Sequence, residues 1–249
     1  MTLDEGAFRG CVNLATADLG ATAVSLGGSV FQDCRELETV VFPPTLLEIG
    51  AKAFENCFKL SGAEVPSGVT TIGEDAFSCC FSLQEFVIPA SLTHIPSGFL
   101  HSCVGLHALD IPSGVESIGG EAFASCENLE TVVMSESAGS IGKGAFRDCV
   151  KLRAANLPSG LKGLNSDIFL NCGLLESVEI PGGVEYINGG AFRGCASLES
   201  VDIPSKVASI GEGAFEGCTG LKEVTIQSAF LRLLGAGCFA GCTALEKVI

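Results

Sequence analysis

Residues 198–220 read LESVDIPSKVASIGEGAFEGCTG, and the same 23-residue pattern runs through the chain from end to end. Its most regular part is the frame Phe-x-x-Cys, which advances by 23 residues per copy from Phe8 to Phe215. One copy carries Leu100 in place of phenylalanine, and the last copy, at Phe239, is displaced by one residue. A repeat of this length predicts a solenoid, in which each coil packs against near-copies of itself and function lies on a long surface.

The composition favours a folded chain with a continuous core, since 47% of the 249 residues are apolar and only 17% are charged. No linker interrupts the repeats, so we expect residues 1–249 to form a single domain. The chain begins and stops inside a repeat, and no polar cap is visible at either end. We therefore expect a piece of a longer protein, or a body whose ends are covered by a partner.

The net charge of −15, from 29 acidic and 14 basic residues, disfavours binding to nucleic acid or to anionic membrane surfaces. No stretch approaches the roughly 20 apolar residues that a membrane helix needs, and the N-terminus lacks a signal-peptide pattern. We therefore expect neither a nucleic-acid partner nor membrane insertion. The missing signal also predicts an intracellular protein.

Each repeat begins with a short strand. In the quoted copy, Val201 and Ile203 alternate with Ser200 and Asp202, which predicts that the first pair faces the core and the second faces solvent. A proline follows this segment in seven copies and should end the strand, because proline cannot donate to a ladder of hydrogen bonds.

The rest of the repeat is predicted to contain a tight corner and one helical turn. Glycine after isoleucine, as at Gly142 and Gly211, should supply either a positive φ or a close backbone approach. Asn165 and Asn188 take the same position, and asparagine also suits a left-handed turn. In Ala-Phe-x-x-Cys, the Phe and Cys are three residues apart and would share one helix face. The predicted fold class is therefore an α/β repeat solenoid of about eleven 23-residue coils.

The chain has thirteen cysteines, and only Cys79 and Cys238 lie outside the Phe-x-x-Cys frame. Eleven equivalent cysteines cannot all pair with one another, and stacked side chains point parallel instead of adopting the skewed geometry of a disulfide. We predict buried free thiols that behave as small apolar groups, which fits a reducing compartment. Cys79 and Cys238 are expected to be more exposed.

No residue constellation indicates catalysis, a metal or a cofactor. The pattern from Gly211 to Gly213 lacks the long helix of a phosphate-binding loop. His94, His101 and His107 lie in or beside the fifth repeat, at different outward positions, and a lone exposed histidine is usually solvated. We expect a protein that is not an enzyme and binds no cofactor.

The pattern Leu-x-x-Val-x-Ile-Pro, followed by Ile-Gly-x-x-Ala-Phe-x-x-Cys, resembles the leucine-rich repeats of the BspA-like, or treponemal, class over the whole chain. This resemblance implies a right-handed horseshoe or arc, a parallel sheet on the concave face and protein recognition without catalysis. Members of the class include bacterial and protist surface proteins and adhesins. The alternative to an intracellular protein is therefore a cell-surface or secreted segment.

The fifth repeat departs from the pattern. Pro96 replaces the corner glycine, Leu100 replaces phenylalanine, and Phe99 occupies the alanine position. We expect this coil to bulge, and irregular coils are where we expect contacts with partners.

The outward residues of the strands form two columns, which contain the candidate binding residues. An apolar set recurs at every second coil, and acidic residues lie beside it and on later coils. The nine candidates are Val41, Glu64, Val87, Asp110, Val133, Glu176, Glu179, Glu199 and Asp202.

Two interpretations of these columns remain open. Like charges about 5 Å apart repel even in salt, so a protein partner with a basic surface would relieve the repulsion. Alternatively, the valines are present because valine favours strand formation, and the acids are present because they keep the protein soluble. The first interpretation predicts a non-catalytic interaction or scaffold module, or a peripheral subunit of a larger complex.

Titration of free thiols tests the cellular compartment. In protein purified from its source without reductant and then unfolded, a count near all thirteen cysteines supports a reducing compartment. A count lower by several thiols, restored by prior reduction, would instead indicate disulfides and export.

Overall fold

The computed structural model describes all 249 residues as a β-solenoid of about eleven coils. Every paired strand runs parallel to the equivalent strand of the next repeat; Thr131, for example, lies opposite Ala108 on one side and Ala154 on the other. Two columns of strands run along the molecule. No helix is present that could span a membrane.

One column, the long-strand face, holds nine strands. They are β2 (Thr16–Asp18), β4 (Thr39–Val41), β8 (Ala108–Asp110), β10 (Thr131–Val133), β12 (Ala154–Asn156), β14 (Ser177–Glu179), β16 (Ser200–Ile203), β18 (Glu223–Ile226) and β20 (Lys247–Val248).

The second column, the short-strand face, holds eleven strands of two residues each. They are β1 (Thr2–Leu3), β3 (Ser25–Leu26), β5 (Glu48–Ile49), β6 (Thr71–Ile72), β7 (His94–Ile95), β9 (Ser117–Ile118), β11 (Ser140–Ile141), β13 (Gly163–Leu164), β15 (Tyr186–Ile187), β17 (Ser209–Ile210) and β19 (Leu233–Leu234).

The predicted helical turns are absent, so the α/β class was wrong and the fold is a β-solenoid with turns. The reason lies in the backbone around the Phe-x-x-Cys frame. Glu121 and Ser125, on either side of Phe123, have φ angles of 53° and 57°. A residue in this left-handed region interrupts a right-handed helix, so the segment forms successive tight turns instead.

These turns are themselves stacked by main-chain hydrogen bonds. The N–H groups of Glu121, Phe123 and Ser125 donate to carbonyls one repeat further on, at N···O distances of 2.7–2.9 Å. The N–H groups between them close local turns, such as Ala124 to the Glu121 carbonyl at 3.1 Å. The turn region therefore bonds its neighbours almost as regularly as the strands do.

A column of phenylalanine rings fills the core beside these turns. Neighbouring rings stack nearly parallel, with centroids 5.1–5.7 Å apart, from Phe8 to Phe77 and again from Phe123 to Phe239. The buried side chains of all the coils form one continuous cluster. Stacking of identical side chains thus gives a single core along the whole chain.

The corner glycines allow the main chains of neighbouring coils to lie close together, and none of them has a positive φ. A Cβ added to Gly142 would lie 2.4 Å from the Gly120 nitrogen and 2.5 Å from the Gly119 carbonyl carbon. The asparagines at this position are not left-handed either, so that expectation was wrong. At Asn165 the side-chain Nδ2 donates to the Ile141 carbonyl at 2.7 Å, an acceptor that a backbone N–H uses in neighbouring coils.

The fifth coil, residues 83–105, interrupts the phenylalanine column. Phe86 occupies an inward strand position that holds smaller residues in the other coils, and its ring meets Phe77 and Phe99 edge-on at 4.9 Å and 5.3 Å. Leu100 is buried in the slot where a stacked ring would lie. The departure predicted for this coil is therefore a change of core packing.

Both strand columns break near the fifth coil, and each breaks once more, between β14 and β16 on the long-strand face and between β11 and β13 on the short-strand face. On the long-strand face, residues 62–64 and 85–87 form no strand, although Gly62 still bridges to Thr39. On the short-strand face, β6 and β7 do not pair, since Pro96 has no N–H to donate where Gly73 and Gly119 each donate to the preceding coil. We attribute the break on the long-strand face to the bulk of Phe86 beneath it.

The close corners predict a sharp difference between two glycines. Gly142→Ala should lower the free energy of unfolding by about 2 kcal/mol or more, because the new methyl group would overlap the main chain of the preceding coil. Gly160→Ala should be neutral or slightly stabilising, since no atom lies within 4 Å of its Cβ position. Urea denaturation measures both, and equal effects would contradict this account of the corners.

Candidate functional site

The long-strand face carries two straight columns of outward side chains. Parallel pairing places Asp110 opposite Val133 and Asp202 opposite Thr225, in agreement with the columns predicted from the sequence. All nine candidate residues are exposed. A partner that contacts this face would therefore meet side chains from several coils at once.

The three candidate valines are unusually open to solvent. Their exposed fractions are 59% for Val41, 79% for Val87 and 60% for Val133. The value for Val87 is the highest among the exposed large apolar residues of the chain. Isolated exposed valines are common on sheets, so their significance depends on what surrounds them.

The acidic patch on the later coils is partly neutralised within the protein. Glu176 pairs with Arg153 at 2.8 Å, and Glu199 pairs with Lys222 at 3.0 Å. Glu179 and Asp202 form no ion pair. Both observed pairs are exposed and contribute little to stability, but they leave less negative charge for a partner to neutralise.

The middle of the chain carries a stronger charge imbalance. Residues 60–142 contain ten acidic residues and no Lys or Arg. Of these acids, Asp75 pairs with Lys52 and Glu121 pairs with Arg147, and the other eight form no ion pair. The absence of Lys and Arg from residues 60–142 is visible in the sequence, but it was not among the features from which the site was predicted.

Two grooves open on the long-strand face within this region. One has a volume of about 530 Å³ and lies between residues 84–88 and 107–112. The other, also about 530 Å³, lies between residues 61–65 and the same segment of the fifth coil. Glu85 belongs to the wall of both grooves and was not among the predicted residues. Only the packing around Phe86 reveals these grooves.

All thirteen cysteines are unpaired. Buried free thiols were predicted for all eleven cysteines of the Phe-x-x-Cys frame, and those from Cys34 to Cys218 are buried. The prediction was wrong for the two ends of the frame, where Cys11 is exposed and Cys242 is half-buried, because neither is covered by a coil on both sides. Cys79 is half-buried, whereas Cys238 is buried and the expectation of exposure was wrong. The one-residue shift of the last copy places Cys238 in the inward slot that alanine fills in other coils.

The thiols of the Phe-x-x-Cys frame have low reactivity. Each thiol after Cys11 in the frame donates to a main-chain carbonyl of the preceding coil at 3.1–3.4 Å, as Cys126 does to Leu100. Burial raises the pKa of Cys126 and of Cys218 to about 12. Since the thiolate is the reactive form of cysteine, these side chains are poor nucleophiles and poor metal ligands.

The histidines do not converge on one another. His94 and His107 are exposed, and His101 is half-buried. No group of three or more His, Cys, Asp or Glu side chains is placed to hold a metal ion.

The raised thiol pKa values predict that stability declines in alkali. A buried thiol stays protonated in the folded state but ionises near pH 9 when unfolded, so its stabilising effect is complete below pH 9. For Cys126 this contribution is lost as the pH rises towards about 12. Cys126→Ala should reduce the slope of unfolding free energy against pH by an amount that grows above pH 9 towards about 1.4 kcal/mol per pH unit.

Urea denaturation between pH 8.5 and 10.5, with reductant present, measures that slope. Val115→Ala is the matched control, because it removes a buried apolar group without removing a thiol. This control should shift the whole curve and leave the slope unchanged. An unchanged slope for Cys126→Ala would contradict the assignment.

Comparison with known proteins gives matches over the entire chain. The family model described as BspA type Leucine rich repeat region, with six copies, matches residues 1–130 and 116–246. A search of curated proteins gave no significant match.

Three solved structures illustrate the similarity. A leucine-rich repeat protein from Bacteroides ovatus is 25% identical with a TM-score of 0.56, and the match covers 100% of this chain and 82% of that one. The T. pallidum leucine-rich repeat protein is 33% identical with a TM-score of 0.59, over 61% and 71% of the two chains. A leucine-rich cell surface protein from Faecalibacterium prausnitzii is 29% identical with a TM-score of 0.57, over 98% of this chain and 62% of that one.

Proposed function

The chain belongs to the BspA-type leucine-rich repeat family, and from this premise we propose that it is a non-catalytic protein-interaction module that binds through its long-strand face. The observation that carries the proposal is the pair of outward columns, which present Val41, Val133 and unpaired acids in fixed register over many coils. A repetitive, rigid surface of this kind suits an extended protein partner better than a small molecule.

The charge of this face supports a partner with a basic surface. The net charge of −15 is concentrated where basic residues are missing, so a basic partner would gain from electrostatic steering. Assembly with such partners would make the protein a peripheral subunit or scaffold. The alternative remains that the exposed valines and acids serve only strand formation and solubility.

Placement at the cell surface is a second candidate, favoured by one specific observation. The F. prausnitzii relative is described as a leucine-rich cell surface protein, and its match covers 98% of this chain. Burial protects most of the thiols from oxidation in either compartment, so only the exposed Cys11 and the half-buried Cys79 and Cys242 can distinguish the two compartments in a thiol titration. An intracellular scaffold is the other candidate.

Site-specific photo-crosslinking tests the binding face. A photoreactive phenylalanine analogue at Val133 on the long-strand face should crosslink to protein partners in cells of the source organism. The same analogue at Tyr186 on the short-strand face is the matched control, since this side chain is also exposed. Mass spectrometry of the crosslinked bands identifies the partner.

We expect partner-specific bands at position 133 and none at position 186. Circular dichroism confirms that both variants are folded. The absence of crosslinks at both positions, or equal crosslinks at both, would contradict binding through the long-strand face.

A further inference from the structure

We propose that the fifth coil captures an extended, basic peptide, which lies as an added β-strand against the main chain of residues 84–88. This inference rests on the proposed function and specifies both the partner chemistry and the place of contact. Three independent features of the same region support it: unbonded main-chain groups, a groove with an apolar floor, and unpaired negative charge.

The main chain of the fifth coil is open on the long-strand face. None of the N–H groups or carbonyls of residues 84–88 takes part in a hydrogen bond within the protein. In the sheet further along, main-chain groups bond to the next coil, as where the Ile111 N–H donates to the Val133 carbonyl at 2.9 Å. These main-chain groups are therefore free to bond to an added strand, while the neighbouring side chains of Phe86 and Ile88 are buried. This segment is therefore an unsatisfied strand edge.

The opposite wall of the groove is also an unpaired edge. Strand β8, at Ala108–Asp110, pairs with β10 but not with the fifth coil. Between these two coils the opening is confined to this face, since β7 pairs with β9 and the turns remain bonded: Leu100 donates to the Ala122 carbonyl at 2.8 Å and Ser102 to the Ala124 carbonyl at 2.7 Å. The coil is thus held in place while its strand segment is left open.

The groove fits a strand of alternating character. Its floor contains the inward side chains Phe86 and Leu109, which would contact apolar residues of the peptide. A run of five open residues matches a strand of common length. Main-chain hydrogen bonds would supply affinity, and alternate side chains would supply specificity, as in other cases of strand addition.

The rim of the groove selects for positive charge. Glu85 and Asp110 line the groove, Glu64 lies in the adjoining one, and none of the three forms an ion pair. No Lys or Arg occurs in residues 60–142 to compete with a ligand. A bound peptide would therefore present Lys or Arg outward beside these acids and Val, Ile or Leu inward.

Fluorescence polarisation with defined peptides tests the proposal. The probe is a labelled, N-acetylated seven-residue peptide of alternating Lys and Val. One comparison peptide replaces each Lys with Glu, and a second carries N-methyl groups on alternate backbone nitrogens. The Lys–Val peptide should bind, the Glu–Val peptide should not, and N-methylation should weaken binding at least about tenfold, because it removes main-chain donors. Binding should also weaken at high salt.

Protein variants locate the site. Combined Glu64→Gln, Glu85→Gln and Asp110→Asn should weaken Lys–Val binding about tenfold. The matched control removes three exposed acids without ion pairs in or directly before strands of the short-strand face: Glu48→Gln, Glu116→Gln and Glu185→Gln. It should leave binding unchanged. All these side chains are exposed, so both variants should fold.

Several outcomes would overturn the inference. These are no preference for Lys–Val over Glu–Val, equal binding of the N-methylated peptide, or equal weakening by the control variant. A concentration-dependent dimer in sedimentation that Val87→Lys abolishes would mean that a second copy occupies the groove instead. If the peptides fail to bind while crosslinks still form at Val133, strand capture is wrong but the protein-interaction role is supported. If no crosslinks form at Val133, the proposed function itself is contradicted.

Discussion

The structure depends on main-chain contact between equivalent corners of neighbouring coils. At Gly142 the backbone lies so close to the preceding coil that a single Cβ would overlap it. Such contact fixes the spacing of the coils, and that spacing in turn brings phenylalanine rings into stacking distance and strands into parallel register. A coil by itself leaves both of its faces open, so its stability comes from its neighbours.

The same constraint explains why one irregular coil has a local effect. Phe86 adds bulk beneath the long-strand face, and Pro96 removes one donor from the short-strand face. The turn segments of this coil nevertheless keep their hydrogen bonds to both neighbours. The solenoid therefore tolerates an opening on its surface without losing the alignment of its core, and the opening exposes main-chain groups that the regular coils bury in their sheets.

The ion pairs of the protein also follow the stacking of the coils. Eight of the ion pairs join neighbouring coils, among them Arg153 with Glu176 and Lys222 with Glu199. Residues 60–142 contain no basic residues for such pairing, so eight of their ten acids form no ion pair. The candidate patch predicted on the later coils is partly neutralised by this internal pairing, whereas Glu64, Glu85 and Asp110 around the fifth coil form no ion pair.

The sequence by itself determined the solenoid, the parallel strands, the outward columns and the buried thiols, because the 23-residue period places equivalent residues on top of one another. It could not decide between a helical turn and stacked turns, since the φ angles of Glu121 and Ser125 follow from hydrogen bonds to another coil. Nor could it show that Cys238 points inward, or that Arg153 and Lys222 neutralise two candidate acids. Only the tertiary structure decided these points and located the open edge at residues 84–88, because each depends on how a side chain meets the neighbouring coil.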